Sequence, residues 1–300
     1  MKKILCGALA GLVVFQPAAF AANNPRAGGT ANFFRAAPAA RALAMGNAQT
    51  AVARGADAIF FNPAALAGTA RPEISSLFSA QEFDQTDGSL AAAAPFRRGA
   101  WGLSAQFYSV GDIFLRQQEF DIGSRASSRS SAVTLAYGQP WGKFSVGAGV
   151  KYLSQSFSGL SDHASGAALD LGAARKFDRL TLGVALQNLL GQFRWSTGKK
   201  DNLLMTVRAG AGYQASPWLL AALDLEGGDG QSLRVHGGLE ARYKELMFRA
   251  GVNHDHPTLG FGLGLPALGA VRPRLDYALE FKAEGLNDAH AIGLSAQFQP

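Results

Sequence analysis

From about residue 72 onward, apolar and polar positions alternate along the chain with almost no interruption. Leu275, Tyr277, Leu279 and Phe281 fall on one face, against Arg274, Asp276, Ala278, Glu280 and Lys282 on the other. Val235, Leu239, Ala241 and Tyr243 oppose Arg234, His236, Glu240 and Arg242 in the same way. Met205, Val207, Ala209, Ala211 and Tyr213 oppose Thr206, Arg208, Gly210, Gly212 and Gln214. Leu246, Phe248, Ala250 and Val252 oppose Met247, Arg249, Gly251 and Asn253, and Leu259, Phe261, Leu263 and Leu265 oppose only glycines. The last stretch sets Ile292, Leu294, Ala296 and Phe298 against Ala291, Gly293, Ser295 and Gln297. A period of two means strands with one apolar face and one polar or small face.

Connections between these strands are of two kinds. Short links are expected at 138–142, 175–178, 215–217 and 244–245; longer polar or glycine-rich links alternate with them at 158–163, 190–201, 227–230, 253–257 and 283–288. Eleven strands fit between residue 130 and the C-terminus, and 72–123 has room for three more, with turns near 84–88 and 95–99. The expected total is about fourteen, an even number with short turns at one end, as in outer-membrane barrels. Residues 22–71 lack the alternation and are alanine-rich, with a helix expected around 39–53.

Alternation does not say which face is inside. A soluble sandwich or a lipocalin-like barrel would turn the apolar face inward. About fourteen strands, however, enclose a lumen too wide for Leu and Phe to fill. The opposite face carries Gly, Ala, Ser and charges of both signs, which suit a wet lumen, and the last strand closes on an aromatic, Phe298. The fold class is therefore all-β: a transmembrane, antiparallel, up-and-down β-barrel. Composition agrees. Glycine makes up 36 of the 300 residues and charged residues 17%, against usual shares of about 7% and about 25%. The glycines have no three-residue period, which excludes collagen, and a 48% apolar fraction with 20 Phe excludes disorder. The single cysteine excludes a disulfide scaffold.

The first residues give the compartment. Met1-Lys2-Lys3, the apolar run Ile4 to Phe15 and Ala19-Phe20-Ala21 read as a secretory signal peptide cleaved after Ala21. Cys6 lies near the start of the apolar run, the wrong place for a lipoprotein anchor, so the mature chain has no cysteine. Without Lys2 and Lys3 there remain 26 of the 28 basic residues against 22 acidic, net +4. The basic residues form no stripe, so the high pI of 9.6 does not point to nucleic acid. No later run of about 18 apolar residues forms a transmembrane helix.

Little else reads as chemistry. His254-Asp255-His256 lacks a third zinc ligand at suitable spacing and reads as an exposed turn. Asp224, Glu226 and Asp229 beside Gly227-Gly228 read as a hairpin tip rather than an ion site. Gly198-Lys199-Lys200 lacks the Ser/Thr of a phosphate loop, and G-x-S-x-G does not occur. No catalytic, cofactor or metal residue is assigned, and the chain is not read as an enzyme. The charges on the inward parity are Asp170, Arg208, Asp224, Arg234, Glu240, Arg242, Arg249, Asp276 and Glu280. They are either cross-strand ion pairs anchoring something inside or a lining selective for polar solutes. Mixed signs favour the first, since an ion-selective pore shows one dominant sign.

Several short motifs occur in order along the chain. Arg41-Ala42, Met45-Gly46 and Ala48 are followed by Asp57-Ala58 and by Asn62-Pro63-Ala64-Ala65-Leu66. Asp170-Leu171-Gly172, Leu186-Gln187-Asn188-Leu189, Arg249-Ala250-Gly251-Val252-Asn253 and His290-Ala291-Ile292-Gly293-Leu294 come later. Together they resemble the PorV/PorQ group, related to the FadL long-chain fatty-acid transporters. Asn47 stands where that group commonly has glycine, Arg54-Gly55 replaces a more acidic step, and Gln299-Pro300 follow the terminal Phe. The resemblance implies a signal peptide over 1–21, a hatch over 22–71 folded into the lumen, and a barrel over 72–300. It also implies that Asn62, Pro63 and Ala64 lie where the hatch meets an inward kink in the wall. The residues alone allow equally an ordinary Asn-Pro turn ending a helix. Two functions follow from the resemblance. One is passive transport of a hydrophobic or amphipathic ligand across the outer membrane of a Gram-negative bacterium. The other is a non-transport envelope role as a PorV-like partner of type IX secretion. The partners are accordingly outer-membrane lipids, an apolar ligand, and secretion subunits or exported proteins.

Overall fold

In the computed structural model, residues 37–299 are described apart from 82–83, 116–123, 159–161, 230 and 283–287. The signal peptide expected over 1–21, and residues 22–36, lie outside the described residues. The alternating sequence forms β1 (Glu73–Gln81), β2 (Gln85–Phe96), β3 (Gly99–Leu115), β4 (Ser124–Trp141) and β5 (Phe144–Ser158). There follow β6 (His163–Phe177), β7 (Leu180–Trp195), a three-residue β8 (Lys200–Asn202), β9 (Thr206–Ser216) and β10 (Leu219–Gly228). The chain finishes with β11 (Gln231–Tyr243), β12 (Leu246–Asn253), β13 (His256–Gly264), β14 (Val271–Glu280) and β15 (Ala289–Phe298).

Every neighbouring pair is antiparallel, and β1 pairs with β15 from Glu73↔Gln297 to Ala80↔His290. β6 pairs with β7, and β7 with β9, so the sheet closes on itself. β8 pairs only with β7, at 192–194, and is a spur rather than a stave. The wall is thus a closed barrel of fourteen strands, which leaves no unpaired edge.

The side-chain period decides what each face meets. Outside, Phe78, Leu103, Val150, Leu223, Phe248 and Ile292 are each more than half exposed. Water would penalise each such side chain by about 1.5–3 kcal/mol relative to burial, whereas hydrocarbon accepts them. Inside, Ser75, Ser89, Ser104, Asp170, Arg208, Asp224, Glu240 and Asp276 are buried. The polar groups therefore face the lumen and the apolar ones the bilayer.

Two-residue turns at 97–98, 142–143, 178–179 and 244–245 each begin with a left-handed residue: Arg97, Gly142, Asp178 and Lys244. That conformation matches the twist of the strands it joins. Three local expectations need correction. The link at 253–257 is tight rather than long, because the dyad runs through Pro257 into β13, and β10 takes up Gly227 and Gly228 of the link expected at 227–230. The expected 190–201 loop is mostly strand: β7 continues to Trp195 after Asn188 (φ 59°) and Leu190 (φ 54°) bulge out of register. The helix expected around 39–53 is only α1 (Ala40–Ala44). Gly46 (φ 59°) and Asn47 (φ 67°) turn the chain left-handed directly after it.

Candidate functional site

Residues 37–69 do not add a layer to the barrel; they run inside it. α1 packs against β12 to β15. The chain then passes β9 and β10, forms a 3-10 turn (Gly55–Asp57) and α2 (Ala58–Phe61), and ends in a 3-10 turn (Pro63–Gly68) against β3 to β6. It thus touches the wall nearly all the way round.

Glycines make that approach possible. A Cβ at Gly138 or Gly147 would overlap the backbone of Pro63, and one at Gly238 or Gly251 the backbone of Met45 and Gly46. Gly138 pairs with Gly147, Gly147 with Gly172, and Gly238 with Gly251, so these bare positions are neighbours across the sheet. The inward glycines are therefore a seat for the backbone of the N-terminal segment.

Asn62 is fully buried and tied in three directions. Pro63 holds it extended (φ −154°, ψ 105°). Its Oδ1 accepts from the Ala64 N–H at 3.0 Å, capping the 3-10 turn. Its Nδ2 donates to the Thr50 carbonyl at 2.9 Å and to the Ala173 carbonyl of β6 at 3.3 Å. One side chain thereby joins two stretches of the segment to the wall. Pro63 and Ala64 are buried beside it.

The inward charges fall into three clusters. In the first, Arg41 of α1 donates to Glu240 at 2.8 Å and Arg249 donates to the same Glu240 oxygen at 2.8 Å. Arg249 also reaches Asp276 at 2.7 Å, and Asp276 accepts from Arg274 at 2.7 Å. The side chains of Arg41, Glu240, Arg249 and Asp276 are all almost wholly buried, so the alternation of sign is what makes their burial tolerable. Arg54 adds a 3.2 Å contact to Glu240, while the half-exposed Arg242 stands 3.8 Å from it.

In the second cluster, Asp224 accepts from the backbone N–H of Gln49 (2.9 Å) and Thr50 (2.8 Å) and from the Thr50 hydroxyl (2.7 Å). A helix over 39–53 would have bonded those two amides to the carbonyls of Met45 and Gly46; here they go to the wall. Arg208 donates to the Asn47 carbonyl at 2.7 Å, lies 3.2 Å from Glu226, and stacks over the Phe61 ring. His236 reaches the Gly46 carbonyl at 3.1 Å, an arrangement that makes Nδ1 the donor. In the third, Lys151 pairs with Asp170 at 3.0 Å and with Asn188 Oδ1 at 3.0 Å, and the Asn188 N–H donates to Asp170 at 2.9 Å. This cluster sits on the bulge of β7.

Of the remaining expected charges, Glu280 accepts from Asn253 at 2.6 Å and Arg234 is half-buried on β11. Lys151 escaped sequence reading, and Arg41, Glu226 and His236 were named there for other reasons, not among the inward charges. Lys151, Glu226 and His236 follow from extending the inward parity along β5, β10 and β11. Asn188 does not: it has the wrong parity, and only its left-handed backbone brings it to Lys151. Asp57, which accepts from the Ser75 hydroxyl at 2.6 Å, is pushed above the usual carboxylate range by burial. Asp224 and Glu226 both face Arg208, and His254-Asp255 form a tight turn.

The lumen is not uniformly polar. Leu153, Phe193 and Leu203 form a buried cluster with Trp195 above the Lys151 site. Phe157 stacks on Trp195 with ring centroids 6.1 Å apart. At the short-turn end a polar cavity of about 270 Å³ opens among Glu73, Arg242, Glu245, Arg272 and Arg274.

This geometry has solved counterparts. The TodX deltaS2S3 mutant monoaromatic hydrocarbon channel matches with a TM-score of 0.61 at 14% identity, covering 87% of this chain and 99% of that one. The shared fold is a closed antiparallel β-barrel. The TodX deltaS2 mutant matches with a TM-score of 0.54 at 13% identity, over 87% of this chain and 98% of that one. The KdgM porin matches less closely, at 0.40 and 14% identity over 76% and 99%. No protein-family model and no curated protein matches the chain.

Proposed function

We propose that the chain is a FadL-like, PorV/PorQ-type outer-membrane protein that carries a hydrophobic or amphipathic ligand passively through a lumen closed by an N-terminal hatch. The hatch is residues 22–71, following a signal peptide cleaved after Ala21, and the barrel is 72–300. The observation that carries the reading is the pairing of a blocked polar lumen with an apolar lining. Residues 37–69 run across the barrel, which disfavours an open pore for hydrophilic solutes. The aromatic cluster of Phe157, Phe193 and Trp195 offers an apolar ligand a place inside. The barrel shared with a monoaromatic hydrocarbon channel supports the same reading.

In this reading the lumen-facing charges hold the hatch rather than select solutes. Glu240 grips it through Arg41 and Arg54, Asp224 through the amides of Gln49 and Thr50, and Arg208 through the Asn47 carbonyl. Asn62, Pro63 and Ala64 form the point at which the hatch is latched to β6. No covalent chemistry is required of any of them. The alternative, a PorV-like partner of type IX secretion, has no structural observation in its favour.

The test is extraction of the protein from outer membranes followed by mass spectrometry of what accompanies it. Recovery of a bound apolar or amphipathic molecule is the expected result. Secretion subunits co-purifying with no such molecule would overturn transport in favour of secretion.

A further inference from the structure

On one side of the barrel the short-turn rim carries a run of cations with almost no counter-charge. Between β2 and β7 its exposed turns and strand ends carry Arg97, Arg98, Lys143, Arg175, Lys176 and Arg179, opposed there only by Asp178. Farther round, the turn at 217–218 is Pro-Trp, and Arg242, Lys244 and Arg272 share the rim with the carboxylates Glu73 and Glu245.

Two features turn this arc toward the bilayer rather than toward open water. First, its cations lie on outward-facing aromatic rings. The Arg175 guanidinium sits over Phe177 at 4.3 Å and over Phe144 at 5.2 Å, and Arg97 sits over Phe96 at 5.2 Å. Second, exposed aromatic rings line the arc. Trp101 lies 4.8 Å from Tyr137, the Tyr137 hydroxyl reaches the Phe96 carbonyl, and Trp141 is the most exposed of them at 70%. Aromatic side chains at the edge of an apolar band occupy the headgroup level of a membrane. A stacked guanidinium is held flat there, with its N–H edge free to meet a phosphate. Arg97 also holds the left-handed position of its turn (φ 54°), where Asn or Gly would fit without strain.

We propose that this arc binds the phosphate headgroups of anionic phospholipids in the leaflet at the short-turn end. The arc thereby fixes how deeply that side of the barrel sits. An acidic protein partner would be met by side chains pointing away from the membrane. Here Arg175 and its rings lie on the lipid-facing parity of β6 and β5, which favours lipid.

The experiment uses the full chain purified in detergent and offered equal amounts of phosphatidylglycerol and phosphatidylcholine, with retained lipid counted by native mass spectrometry. One basic side chain near an anionic surface contributes about fivefold in binding, so a preference for phosphatidylglycerol of at least that size is expected. The variant R97Q/R98Q/R175Q/R179Q should lose the preference while keeping heat-modifiable gel mobility. K199Q/K200Q, at the opposite end, should keep it. Equal retention of both lipids by the wild type, or an unchanged preference in the quadruple variant, would overturn the proposal. So would displacement of the lipid by excess inorganic phosphate, which would make the arc a site for free anions.

Discussion

At the scale of the residue, the barrel interior separates charges that hold something from charges that merely stand nearby. Glu240 accepts from both Arg41 and Arg249 while almost wholly buried, and removing one partner of such a pair costs about 3–5 kcal/mol. Glu240→Gln should therefore lower the melting midpoint and expose 37–69 to protease. Arg242→Gln, which loses a half-exposed contact at 3.8 Å, should change stability by less than about 1 kcal/mol. Asn62→Ala removes a cap and two bonds to backbone carbonyls, so faster hydrogen exchange at Ala64, whose N–H loses its acceptor, is expected, with a local cost of about 2–3 kcal/mol. Asp57 acts in the opposite sense. Burial raises its pKa in the folded chain, so its contribution to docking is fully present below the unfolded value of about 3.9 and is lost as pH rises through the folded value. Exchange in 55–61 should accelerate over that rise, and Asp57→Asn should flatten the slope.

At the scale of the element, the period-two pattern made the strands legible because each residue had one of two solvents to face. The pattern failed where the backbone, not the side chain, decides. Asn188 and Leu190 take left-handed conformations in β7, and beyond them the strand pairs with β8 instead of β9. Nothing in Leu186-Gln187-Asn188-Leu189 announces this, since Asn tolerates the conformation but does not demand it. Asn188→Val puts a β-branched residue at φ 59° and takes one of two acceptors from Lys151, which keeps Asp170, so a loss of about 2–4 kcal/mol is expected. Asn188→Gly should lose less, because it keeps the backbone. Comparing the two melting midpoints separates strain from the lost hydrogen bond; equal midpoints would contradict a role for the conformation.

At the scale of the whole molecule, the closed barrel was legible and the course of its N-terminal segment was not. A wall of fourteen strands repeats one rule, whereas residues 37–69 obey no period and are placed by long-range contacts. Asp224 captures amides 174 and 175 residues away, and Glu240 meets Arg41 across 199. Short motifs such as Asn62-Pro63 marked where the segment turns but not what it would touch. The glycine excess belongs to this scale as well, since the bare inward positions acquire their purpose only once a second chain segment lies against them.

If this segment controls passage, locking it in place should stop transport, and residues 22–300 contain no cysteine to interfere with an engineered disulfide. A Cβ built at Gly212 lies 3.7 Å from that of Val52, within the span of a disulfide. The measurement is uptake of a fluorescent long-chain fatty acid into proteoliposomes by V52C/G212C, oxidised and then reduced. Uptake at the protein-free level when oxidised, restored on reduction, is the predicted result. Equal uptake in the two states would contradict a gating role for the segment.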